Sequence, residues 1–124
     1  MLDLSKLDAV RLPSREIEVS VGGGPKQHLT VTCYDDGTAL DIGDIDRSFP
    51  GESERRIRVM LLQKCAGLSA ADAEKLVSLD AKASGEILSA VFDLRDEFSA
   101  ARKAVTDEAK KNSPARPDSA GTSV

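Results

Sequence analysis

The residues able to do chemistry are few and poorly placed for it. His28 is the one histidine in 124 residues, so any mechanism that needs a histidine pair fails at once. A histidine-activated nucleophile needs a Ser or Cys beside it in space. Cys33 follows His28 along a strand-like run and, by parity, faces the opposite side, which leaves His28 as an exposed residue at a strand start. Cys33 and Cys65 are far apart, with no C-x-x-C and no H-x-x-x-H, and one His with two distant Cys is a poor zinc set. They read better as small buried hydrophobes than as a disulfide pair. Asp35, Asp36, Asp41, Asp44 and Asp46 invite a calcium reading, but the D-x-D-x-D-G spacing and the downstream bidentate glutamate are missing. They read as turn and strand-edge acids. Gly22-Gly23-Gly24 lacks the G-K-[ST] and following helix of a phosphate loop, and Asp93, Asp96 and Glu97 read as the solvated face of a helix. No catalytic residue, cofactor-binding residue or metal ligand is predicted, and the chain is not expected to be an enzyme.

The elements that would position these residues follow from the apolar periods. Residues 1–14 carry Leu2, Leu4, Leu7, Val10 and Leu12 without a clean period and end at Pro13, an arm with room for one helical turn. Ile17, Val19 and Val21 alternate with Glu16, Glu18 and Ser20; after the Gly-Pro loop, Leu29, Val31 and Cys33 alternate with Thr30, Thr32 and Tyr34. Two such runs around a glycine loop predict a β-hairpin. Asp35-Asp36-Gly37 reads as a turn, and Leu40, Ile42 and Ile45 as a short third strand or edge. From Gly51 the period becomes helical: Ile57, Met60, Leu61, Lys64 and Leu68 share a face, with Gly67 placed as a C-terminal cap. Ser69 is set to cap a second helix that turns Ala73, Leu76, Val77 and Leu79 inward, and Asp80 to cap a third over about residues 81–110. There Ile87, Val91, Leu94, Phe98, Ala101 and Val105 recur in steps of four and three, a heptad-like seam widened by Leu88 and Phe92. Residues 111–124, with Pro114 and Pro117 and almost no large apolar side chain, are expected to be a disordered tail.

The predicted fold class is α+β: an N-terminal hairpin or small antiparallel sheet, then about three helices, the last one long, in a single domain over 15–110 between the arm and the tail. Apolar residues make up 40% of the chain and aromatic ones 3%, so the core rests on aliphatic side chains, with Tyr34, Phe49, Phe92 and Phe98 its only large rings. A formal charge of −4 disfavours a nucleic-acid binder, and the basic run Arg55-Arg56-Ile57-Arg58 sits among Glu52 and Glu54 as a solvated helix face. No stretch approaches the apolar length of a membrane span, and the cytoplasm is the default expectation.

Without chemistry, function falls to surface. The stripe Ile87, Leu88, Val91, Phe92, Leu94, Phe98 and Val105 is the candidate protein-binding site, with residues 87–94 read alternatively as domain core packed on the hairpin and the first helix, and self-association into a homo-oligomer is a second use for it. The same residues carry a family likeness. A hairpin from Glu16 to Tyr34, a helix ending in Gly67-Leu68-Ser69-Ala70-Ala71-Asp72, then Leu76-Val77-Ser78-Leu79-Asp80 and Glu86-Ile87-Leu88-Ser89-Ala90-Val91-Phe92, resembles the tail assembly chaperones of bacteriophages and prophages. The resemblance covers roughly residues 15–105 and rests mostly on apolar spacing, with Asp80 its one polar landmark. It implies an adaptor that coats the long, apolar, helical tape measure protein in the host cytoplasm and recruits tail tube protein through a frameshifted long form. It also implies self-association into rings or helical arrays and departure before the virion is complete. Other virion-assembly adaptors, such as a head–tail completion protein, and small regulators, such as an antitoxin, are the alternatives.

Overall fold

A computed structural model describes residues 2–111, the side chains of Asp8 and residues 109–111 excepted. The fold is α+β, a two-stranded antiparallel sheet followed by four helices of which the last is long. The tail expected over 111–124 lies, but for the backbone of Lys111, outside the described residues.

The arm carries one 3₁₀ turn, Ser5–Ala9, and leads into β1 (Ser14–Ser20). β1 pairs with β2 (Lys26–Thr32) in a register that sets Ile17 opposite Leu29 and Glu18 opposite His28. The alternation therefore puts Ile17, Val19, Leu29 and Val31 on the helix-facing side, with Val31 fully buried. Glu16, Glu18, His28 and Thr30 face water, where His28 lies 3.4 Å from Glu18. Between the strands, Gly22 and Gly23 take φ of 63° and 75°, and Gly24 N–H donates to the Val21 carbonyl at 3.1 Å. Two successive left-handed residues match the twist of a hairpin, and glycine adopts them without a Cβ penalty.

The expected third strand is a helix, α1 (Asp36–Ser48). Asp35 caps it, its side chain accepting from Thr38 N–H at 2.8 Å. The inward residues are Thr38, Ile42 and Ile45, spaced four and three, while Leu40 points out and is 72% exposed. The acids at Asp36, Asp41, Asp44 and Asp46 are thus helical acids rather than strand-edge ones. Pro50 ends α1, and Gly51 turns the chain at φ 92°.

α2 (Ser53–Ala66) is the hub, packed against α1, α3, α4 and β2, which is why Val59, Leu61, Leu62, Cys65 and Ala66 are all buried across a wide arc. Gly67, at φ 75°, terminates it, and Leu68 N–H reaches back to the Leu62 carbonyl at 3.3 Å. Ser69 caps α3 (Ala70–Leu79) by accepting from Asp72 N–H at 3.1 Å. Ala73 is buried and Leu76 and Val77 half-buried, but Leu79, expected inward, is 79% exposed because it closes the helix beyond its packed face. α4 (Ala81–Lys111) is about 46 Å long at the usual helical rise. Its first half lies over α2, α3 and the sheet.

The core is aliphatic, as expected, and Cys33 and Cys65 are free thiols buried within it. The rings sit at its margin: Tyr34 and Phe98 are half-buried, and Phe49 and Phe92 are exposed. Phe49 stacks under the Arg56 guanidinium at 3.7 Å, and the edge of Phe92 meets Tyr34 at 6.4 Å between centroids. Among the described residues no helix is long and apolar enough to cross a membrane.

Candidate interaction surface

The seam along α4 divides in two. Ile87, Leu88, Val91 and Leu94 are buried, with Val91 at 0% and Leu94 at 2% exposure, and they join Val19, Val31, Leu61 and Leu62 in one cluster. These four candidate binding residues are covered by the chain's own hairpin and α2, so they are not a surface another protein can touch in this fold. Phe92 stands off the seam and is exposed beside a recess it shares with Ile57 and Arg58. Phe98 is half-buried, and Val105 is 70% exposed. The candidate surface shrinks to Phe92, Phe98, Ala101 and Val105.

The arm supplies what the sequence reading omitted. Leu7, Val10 and Leu12 line a recess of about 690 Å³ together with Phe98, Ala101 and Val105. Leu7 and Val10 are themselves largely exposed. Two segments nearly a hundred residues apart thereby form one apolar ridge. Leu12 and Phe98 are anchored to the core, and Leu7, Val10 and Val105 face water. Contiguous exposed apolar surface of this kind makes the ridge the candidate interaction surface.

The ridge is held in place by a charged clasp. Arg95 donates to the Tyr34 carbonyl at 2.9 Å and to Asp36 at 2.7 Å; Arg102 grips the same carboxylate with two N–H groups at 2.8 and 3.1 Å. Hydrogen bonds from Arg102, then Arg95, hold the Asp36 carboxyl down at about 2. Both guanidiniums also lie over Phe98, at 5.4 and 4.8 Å from its centroid. Arg95 and Arg102 are two helical turns apart on one face of α4. Arg15 pairs with Glu97 nearby and fastens β1 to the same stretch.

At the other end of the molecule Asp80 joins two elements. One carboxylate oxygen accepts from Ala83 N–H at 3.0 Å, capping α4; the other accepts from Gly22 N–H at 2.8 Å, fixing the hairpin turn. These bonds, Gly22's first, lower its pKa.

Burial pushes the Cys65 thiol up to about 11 and the Cys33 thiol upward as well, the reverse of an activated nucleophile. The basic run on α2 is paired: Arg55 with Glu74, Arg56 with Glu52 and Arg58 with Glu54. Among the described residues no three His, Cys, Asp or Glu side chains gather as metal ligands would. Comparison with protein-family models, curated proteins and solved structures finds no match to this chain.

Proposed function

We propose that this protein is a non-catalytic assembly chaperone of the phage tail type, which keeps a long apolar helical protein soluble by covering it. In that reading the partner is the tape measure protein, tail tube protein is recruited to the complex, and the work is done in the host cytoplasm before the particle is finished. The observation that carries it is the apolar ridge of exposed Leu7, Val10, Ala101 and Val105 around half-buried Phe98, backed by the Arg95–Asp36–Arg102 clasp. A groove flanked by an arm and a helix suits the apolar face of a partner helix, and the chain's net negative charge keeps such a complex dispersed.

Co-expression tests this. A long, apolar, helical tape measure protein should move from the insoluble to the soluble fraction with the wild-type chain and stay insoluble with the Val10→Asp/Val105→Asp variant. Equal rescue by both chains rejects the ridge. Recovery of the protein from finished particles rejects the chaperone role in favour of a structural adaptor.

A further inference from the structure

We propose that the free edge of β2 takes up a strand from another protein, an extended segment apolar on one face and acidic on the other. The backbone states the requirement. Cys33 N–H donates to the Pro13 carbonyl at 2.9 Å, and the register sets Ser14 opposite Thr32. Alternation from that bond turns the N–H and C=O groups of Val31, Leu29 and Gln27 towards β1, and those of Thr30 and His28 away from it. Among the described residues no hydrogen bond reaches these outward groups of His28 and Thr30. A row of free donors and acceptors at strand spacing matches an extended backbone. A helix cannot supply that match, because its own N–H and C=O groups are already bonded to one another.

The space beside this edge is open and apolar. α3 packs on α2 and α4, and no Cα of α3 comes within 8 Å of a strand Cα. The groove left between them has a volume of about 470 Å³. Its reachable walls are Leu29, Leu68 and Leu76, each half-buried, with Val21 and Leu79 exposed at the rim. An added strand continues the alternation of the sheet, so every second side chain falls on the side of Leu29 and enters the groove.

Charge selects the strand and the partner. The water-facing side chains along β1 are Glu16, Glu18 and Ser20; along β2 they are Lys26, His28 and Thr30. Like charges opposed on neighbouring strands repel, so a segment with acids on its water face is turned away by β1 and accepted by β2. Lys26 is exposed and forms no ion pair among the described residues. The proposal stands apart from the chaperone reading, since edge and groove lie towards the hairpin turn that Asp80 holds, away from the Phe98–Val105 ridge.

The test uses a synthetic peptide that alternates valine with threonine and glutamate, titrated into the full chain and followed by amide hydrogen exchange. The His28 and Thr30 amides should exchange fast in the free chain and slow down on binding, with Glu16 and Glu18 unchanged. N-methylation of one alternate set of peptide amides, the set facing β2, should weaken binding by at least about tenfold, and methylation of the other set should change it little. Lys26→Glu, at an exposed position, should weaken binding by about threefold. The Val10→Asp/Val105→Asp variant should bind the peptide as the wild type does, which separates the edge from the ridge. Unchanged exchange at His28 and Thr30 with millimolar peptide, or equal losses from both methylated sets, overturns the proposal. So does protection of these two amides that grows with protein concentration in the absence of peptide, since the edge then belongs to a second copy.

Discussion

Truncating Leu94 and Val105, two positions of one heptad seam, should have opposite consequences. Leu94 is 2% exposed and lies in the main cluster. Its replacement by alanine removes buried methyl groups and leaves a cavity that the crossing of α4 with the hairpin cannot fully close. Such changes cost 2–5 kcal/mol, and about 3 kcal/mol is expected here. For a domain of this size the melting temperature should fall by about 12 °C. Val105→Ala at a 70% exposed position should stay within about 0.5 kcal/mol, with the better helix propensity of alanine offsetting part of any loss. Circular dichroism melts and urea titrations of both variants measure the difference, and co-sedimentation with the partner measures binding. Leu94→Ala should retain partner capture below its melting point, and Val105→Ala should weaken it without loss of stability. Equal small losses of stability at both positions, or binding lost at Leu94 in a fully folded chain, would refute the division of α4 into a core half and a ridge half. The same division means that Val91→Asp reports on folding rather than binding, because it places an unpaired carboxylate at a fully buried site.

Asp80→Ala should destabilise both elements it joins, and hydrogen exchange should speed up at the Gly22 and Ala83 amides together, whereas loss of a helix cap alone would touch only Ala83. Asp36 titrates at about 2 in the folded chain against 3.8 when unperturbed, so its contribution to stability is complete above about pH 4 and is lost as the pH falls towards 2. Asp36→Asn should flatten the acid limb of the stability curve in that window, and an unchanged acid limb would show the clasp to be idle. With thiols buried and raised, to about 11 for Cys65, Cys33 and Cys65 should react with a disulfide reagent at mildly alkaline pH only after denaturant is added; a fast native phase would contradict their burial.

The parts of the fold set by local chemistry could be read from sequence. Alternation fixed the hairpin's inward face at Val19, Val31 and Cys33, and cap chemistry placed Gly67, Ser69 and Asp80 at the helix ends they occupy. α1 was misread because Leu40 and Ile42 mimic an alternating strand edge. The helical trio Thr38, Ile42 and Ile45 includes a threonine that counts as polar until it is seen buried. The seam of α4 was found, but a period says only that residues share a face, not what lies opposite. Ile87 to Leu94 are buried against the hairpin and α2, Phe98 is only half-buried, and Ala101 and Val105 lie exposed. The arm's part in the ridge and the Arg95–Asp36–Arg102 clasp join residues some sixty to ninety positions apart, and no local pattern encodes such meetings.

The central claim is that the exposed half of α4, with the arm beside it, is where another protein binds. Hydrogen exchange on the chain alone and in complex with a long apolar helical partner measures this directly. Residues 87–94 should already be protected in the free chain, and new protection should appear over 7–12 and 98–108 on binding. Protection that appears elsewhere while the ridge exchanges as fast as before would contradict it.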